Sequence, residues 1–172
     1  MPVPGTILIL ANSHHTLELF LNGGKTEGIV KYRTMHIDDY AGALALWQSA
    51  EGVQLRSTDS RDGIARYLDC NPGLSFVAES GDEIIGTIMA GHDGRRGYIQ
   101  HLAVQAANRN VGIGSELLRL CLAALKHAGI SKSHVHVFSA NKIASHFWLA
   151  RGWQLRADIA VFSFVNDGDD NA

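Results

Sequence analysis

Residues 98–129, YIQHLAVQAANRNVGIGSELLRLCLAALKHAG, constrain the fold of this chain more than any other stretch. They open on a short apolar run, 99–104, suited to a mostly buried strand. A polar turn and the loop Arg109-Asn110-Val111-Gly112-Ile113-Gly114 follow. Then Leu117, Leu118, Cys121, Leu122 and Leu125 recur at helical spacing, and Gly129 stands where a helix would stop. Strand, glycine-bearing loop and helix start in that order aim main-chain N–H groups and the positive end of a helix dipole at one spot, an anion site. Two glycines without Cβ atoms let a phosphate approach the backbone.

Two familiar phosphate loops fail on the residues. A nucleotide P-loop ends Gly-Lys-Ser/Thr, but Gly114 is followed by Ser115 and Glu116. A dinucleotide fingerprint needs a third glycine where Leu117 stands and an acidic residue about 20 positions on, and the next strand, 133–138, has none. Charge adds an exclusion: a formal net charge of -2 gives no electrostatic case for nucleic acid or an anionic membrane as main partner. At 172 residues, 46% hydrophobic and 19% charged, the chain is expected to form one domain with a substantial core. Cys70 and Cys121 lie far apart and read as reduced thiols of a cytoplasmic protein. No apolar run reaches the roughly 18 residues of a spanning helix, and no signal-peptide layout is present.

Residues 1–28 stand apart as an N-terminal extension. The runs 7–10 and 17–21 read as two short strands of a hairpin, with turns or a linker at Asn22-Gly23-Gly24 and Gly28. A dimer-contacting arm and a translated leader remain open alternatives; the His14-His15 pair has no third ligand at a metal-binding spacing. From 29 the elements alternate. A strand at 29–34 precedes a helix to about 50, with Ala41, Leu44, Ala45 and Trp47 facing inward. Ser60 caps a second helix that stops near Asn71-Pro72-Gly73. Strands at 74–79 and 83–90 form a hairpin about Ser80-Gly81-Asp82. After the organising stretch come a strand at 133–138, a helix at 142–151, strands around 153–156 and 160–165, and a flexible acidic tail at 166–172.

The order is that of a mixed sheet with helices on both sides. R-x-x-G-x-G at Arg109–Gly114 resembles the acyl-CoA pyrophosphate loop of the GNAT superfamily of N-acetyltransferases. A second signature follows: Asn141, Ala144, Phe147-Trp148 and Gly152-Trp153 are similar to the family's N…A…F-Y…G-F helix. Residues 86–97 resemble the small bacterial YpeA and RimI types. The resemblance spans residues 29–165 and implies an α/β (α+β) fold, its mostly antiparallel sheet splayed between the domain's fourth and fifth strands. It further implies direct acetyl transfer from acetyl-CoA, without a metal, to a primary amine of a small molecule or peptide, in a protein often dimeric. The main chain of Leu102, Ala103 and Val104 would then hold the pantetheine arm. Arg109, Asn110, Val111, Gly112, Ile113, Gly114 and Ser115 would take the pyrophosphate, Asn141 would bond the arm, and Phe147 and Trp148 would line it.

Position 148 departs from the family, where a tyrosine commonly protonates the leaving thiolate. An indole N–H donates a hydrogen bond but does not give up its proton. For the base, His134 and His136 alternate on one strand face, and His136 matches a RimI-type glutamate; His101 is a further candidate. Glu51 and Asp59, in the connection between the first two helices, would hold a cationic acceptor. Each has a plainer reading as a packed histidine, a capping acid or a solvated charge. The alternative function is a non-catalytic CoA-binding sensor or interaction domain on the same fold.

Overall fold

The structure, a computed structural model, describes residues 9–12, 16–21, 28–166, 168, 169 and 171. Among the described residues seven strands form one open sheet in chain order: β1 (Ile9–Asn12), β2 (Thr16–Leu21), β3 (Gly28–Thr34), β4 (Phe76–Ser80), β5 (Glu83–His92), β6 (Gly97–Val104) and β7 (Ser133–Val135). Neighbours run antiparallel except β6 and β7, which are parallel. A parallel pair needs a crossover, supplied by α3 (Ile113–His127). Helices α1 (Tyr40–Ser49) and α2 (Arg61–Cys70) connect β3 to β4, and α4 (Lys142–Leu149) follows β7.

Strand alternation sorts the apolar residues to two faces. Val30, Tyr32, Phe76, Ala78, Ile88 and Ala90 pack with Leu117, Cys121, Leu125 and Trp148. Val77 and Met89 turn the other way, against Ala43, Leu46 and Trp47 of α1 and Ile64 of α2. Helices therefore cover both faces, as expected. Burial pushes the Cys121 thiol up to about 12, so it sits in the core as an inert apolar group. Ser60 caps α2, its Oγ accepting from the Gly63 N–H at 3.3 Å.

Three expectations need correction. In α1 the inward residues are Ala43, Leu46 and Trp47, while Ala41 and Ala45 are exposed. Apolar residues nearly ring this helix, so its sequence does not select a face. The strand expected at 133–138 stops at Val135 because only Ser133–Val135 pairs with β6. Neither 153–156 nor 160–165 forms a strand, and Leu155, Val161, Phe162 and Phe164 stand exposed. Strand propensity without a paired neighbour does not make a strand.

At the N-terminus, β1 pairs β2 and β2 pairs β3, extending the sheet. His14-His15 and Asn22-Gly23-Gly24 lie outside the described residues. Asn171 and Asp169 of the acidic tail meet the α1–α2 connection: the Asn171 carbonyl accepts from the Ser57 N–H at 3.1 Å, and Ser57 Oγ donates to Asp169. Among the described residues no helix is long and apolar enough to cross a membrane.

Candidate active site

The site begins where two strands part. β6 and β7 pair through Gly97↔Ser133, Tyr98↔His134 and Ile99↔Val135; β7 then ends while β6 continues to Val104. On its other edge β6 stays paired to β5, but with a bulge. Thr87 lies opposite Ala103 and Met89 opposite Gln100, so Ile88 faces both His101 and Leu102. His101 absorbs the extra residue at φ +48°. Beyond the bulge the Gln105 N–H bonds the Ile85 carbonyl at 2.9 Å. Alternate residues of such a ladder turn their polar groups to opposite edges, so Val104 presents its N–H and C=O to the gap. Arg109 Nε already donates to that carbonyl at 3.0 Å.

The start of α3 lies next in the chain. Asn110 and Gly112 both adopt positive φ, +65° and +96°. No atom lies within 4 Å of where a Gly112 Cβ would be, so glycine is needed there for its backbone angle and not for room. The N–H groups of Ser115 and Glu116 both close on the Gly112 carbonyl at 3.0 Å, the first helical bonds. Those of Ile113 and Gly114 precede them and have no helical acceptor. A hollow of about 580 Å3 beside this helix start is lined by Ser115, Leu118, Arg119, Leu122, Ala150, Arg151 and Trp153. Arg151, not anticipated from the sequence, bridges α4 to α3: its Nη2 donates to Ser115 Oγ at 2.5 Å and its guanidinium lies 3.6 Å over the Phe147 ring. The i, i+4 spacing of Phe147 and Arg151 was the available signal.

Asn141 is the N-cap of α4, its Oδ1 accepting from the Ala144 N–H at 2.9 Å. Its Nδ2 presses against Gly52 of the α1–α2 connection, where a Cβ would overlap the amide. The two halves of the site thus touch through a glycine. Phe147 is half-buried, whereas Trp148 is buried in the core, edge-on to Trp153 at 4.7 Å and Phe147 at 5.2 Å.

On the opposite face of the sheet His101 and Asp59, weighed separately in the sequence, come together. His101 Nε2 lies 3.1 Å from Asp59 Oδ1, with side chains 13% and 12% exposed. The nitrogen sits off the line of an aligned hydrogen bond, though within reach of one. The imidazole packs edge-on against Trp47, ring centres 4.4 Å apart. Trp47 Nε1 donates to Thr87 Oγ1 at 2.9 Å, and Thr87 Oγ1 donates to the His101 carbonyl at 2.9 Å, a closed circuit that fixes the bulge. Asp59 is held by the Arg56 N–H on Oδ2 at 2.8 Å, and its carbonyl accepts from Tyr40 at 3.0 Å. Burial holds the His101 pKa below its ordinary value, with the Asp59 charge only partly offsetting it. The imidazole is therefore neutral near pH 7. Trp47, Thr87 and Tyr40 carry no motif, and only tertiary contact marks them.

Other candidates lie apart from this cluster. His136 falls just past the end of β7 and is exposed, so the strand alternation with His134 does not reach it. Glu51 is exposed in a turn. A cavity of about 590 Å3 between α1 and the β4–β5 turn, lined in part by Arg33, Asp38, Asp39, Glu79 and Glu83, holds none of the expected site residues. Among the described residues no group of three His, Cys, Asp or Glu side chains could hold a metal ion.

The chain is similar to known proteins in sequence and in fold. Over 112 residues, 65% of this chain and 79% of the relative, the sequence is 31% identical to an acetyltransferase of Pectobacterium atrosepticum. It is 30% identical over 112 residues, 65% of this chain and 78% of the relative, to an acetyltransferase of Sodalis glossinidius. In fold it is similar to the PaiA N-acetyltransferase of Thermoplasma acidophilum, solved in complex with coenzyme A: TM-score 0.66, 16% identity, 81% of this chain and 94% of that one. Residues 42–153 match the acetyltransferase (GNAT) family, and by that match over most of its length the chain belongs to this family.

Proposed function

We propose that the protein is an acetyl-CoA-dependent N-acetyltransferase acting on a primary amine of a small molecule or peptide. The observation that carries this is the gap between β6 and β7, opening beside a helix start whose first N–H groups lack acceptors. The residues fit the co-substrate. The Ile113 and Gly114 N–H groups, approached across Gly112, would take the pyrophosphate together with the loop from Arg109 to Ser115. Main-chain groups of Leu102, Ala103 and Val104 would hold the extended arm, with the Nδ2 of Asn141 and the Phe147 ring lining it. Arg151 adds positive charge at the hollow beside the helix start, whereas the charge of Arg119 is paired to Glu116 at 2.6 Å. Bound acetyl-CoA supplies an already activated thioester, so no covalent enzyme intermediate is required.

The chain's own part is to hold the amine neutral and take its proton. His101 is the better-built base: a neutral imidazole braced by Trp47, with Asp59 at Nε2, leaves Nδ1 to receive the proton. His136, exposed at the parted end of β7, is the other candidate. Asp59, beside His101, would offer a carboxylate to a cationic amine, and Glu51, exposed in its turn apart from that cluster, is the outlying candidate. Trp148 is packed too deeply to reach a leaving thiolate, which departs through water (an ordinary thiol pKa is about 8.5). The catalytic unit spans residues 29–165 and works in the cytoplasm, consistent with two unpaired cysteines.

Thiol release from acetyl-CoA across a panel of amines tests the reading, with calorimetric titration of CoA beside it. Binding without release by any amine would leave a CoA sensor on this fold; no binding at all would refute the site. Val111→Glu is the matching variant. Val111 is exposed in the loop, so a carboxylate there repels the diphosphate without disturbing the core, and the CoA Kd should rise at least tenfold.

A further inference from the structure

The alternation of β6 inverts halfway along the strand. In an unbroken strand, residues an even number apart turn their polar groups to the same edge and their side chains to the same face. Gly97 and Gln105 do not. The Gly97 N–H bonds the Lys132 carbonyl on the β7 side at 2.9 Å, whereas the Gln105 N–H bonds the Ile85 carbonyl of β5 at 2.9 Å. The faces exchange too. Ile99 packs with Leu117 and Cys121 of α3, but Ala103 packs with Ala43 and Trp47 of α1, while Leu102 and Val104 lie with Ile99. The extra residue at the bulge makes this exchange, as a one-residue slip does. Without it Val104 would turn its N–H and C=O to β5, and His101 would point towards α3.

The inversion needs holding, because His101 sits at φ +48°, which an L-residue enters reluctantly. The hold comes from a side chain of the neighbouring strand. Thr87 is fully buried, and its two hydrogen bonds have one possible polarity. An indole N–H only donates and a carbonyl only accepts. Thr87 Oγ1 therefore accepts from Trp47 Nε1 at 2.9 Å and donates to the His101 carbonyl at 2.9 Å. The same indole backs the His101 imidazole, so one side chain of α1 steadies both ends of the bulge residue. We propose that Thr87, oriented by Trp47, is a positioning residue for acetyl transfer. Its hydroxyl pins the inverted strand, which aims the main chain of 102–104 into the gap and the His101 ring towards α1. Both side chains are buried and act through β6, not by contact with a substrate. The inference rests on the reading of the gap as an acetyl-CoA site.

Thr87→Val keeps the side-chain shape and removes the hydroxyl. Calorimetry should then show the CoA Kd raised roughly tenfold, the scale of one lost buried hydrogen bond. The Kd of phosphoadenosine diphosphate, which is CoA without its pantetheine arm, should stay at the wild-type value, because the start of α3 is untouched. Thr87→Ser restores the hydroxyl but drops a buried methyl, so it should melt below the wild type yet bind CoA as the wild type does. Amide exchange reads the strand without any ligand. The Gln105 N–H should lose protection in Thr87→Val more than the Met35 N–H, which bonds the Ser75 carbonyl at 2.9 Å, and should keep it in Thr87→Ser. Should the valine variant not fold, Trp47→Phe keeps a ring against His101 and removes the donor; it should weaken CoA without weakening phosphoadenosine diphosphate. Equal weakening of both ligands, weakening of neither, or no rescue by serine would each overturn the inference and leave the acetyl-CoA site standing. A wild-type chain that binds neither ligand would overturn both.

Discussion

Filling Gly52 should uncap α4, far along the chain. Gly52 has φ +83°, and an added Cβ would overlap the Asn141 amide, whose Oδ1 caps the helix through the Ala144 N–H. Gly52→Ala therefore carries two costs: about 1–2 kcal/mol for an L-residue in left-handed backbone, and about 1 kcal/mol for the lost cap as Asn141 swings away. Asn141→Ala alone should cost only the cap, about 1 kcal/mol. In the double variant the cap is lost once, so the total should fall short of the summed single effects by about 1 kcal/mol. Gly112→Ala calibrates the backbone cost: its φ is +96° and nothing lies within 4 Å of the new methyl. Urea unfolding of the four variants measures each value. Additivity within about 0.5 kcal/mol would refute the reasoning, because Asn141 would then keep its cap with Gly52 filled. Under the proposed function, Gly52→Ala should also weaken CoA binding as the amide leaves its place.

Three further outcomes are expected. Because burial holds the His101 pKa below its ordinary value of 6.5, the unfolded chain binds a proton that the native one refuses. Stability is then fully present above that value and falls with pH below it, by up to about 1.4 kcal/mol per pH unit; urea midpoints at descending pH should show a shallower fall for His101→Asn, which tolerates the positive φ. Arg151→Ala removes the bridge between Phe147 and Ser115, costing stability by less than about 1 kcal/mol at an exposed site, while raising the CoA Kd in a titration. Trp148→Tyr trades a buried indole for a smaller ring at a cost of about 1–3 kcal/mol, yet should keep its thiol-release rate; a folded variant without turnover would contradict the placement of Trp148 in the core.

Elements with strong periodicity and explicit punctuation were readable without coordinates. The apolar stripe from Leu117 to Leu125, the stop at Gly129, the Ser60 cap and the hairpin about Gly81 follow from local chemistry, because spacing, φ preference and cap geometry act within a few residues. The glycine loop leading into the start of α3 was legible for the same reason. The inward face of α1 was not, since an alanine-rich helix leaves that choice to Ile84 and Met89 across the interface. Nor could sequence show that 160–165 lies unpaired: a strand requires a neighbour, and hydrogen-bonding partners are assigned by topology.

The chain's own order of residues thus determined which segments could be strands or helices, and where a glycine loop would open a helix with its first main-chain donors free of helical acceptors. Tertiary structure alone decided the rest. It brought Asp59 from a turn to His101 on a bulge 42 positions later, set Trp47 and Thr87 around them, and seated Asn141 on Gly52. These contacts join residues distant along the chain through the register of β5 against β6 and the packing of α1 on the sheet. Only the summed burial of both faces fixes that register and packing, and no local signal encodes them.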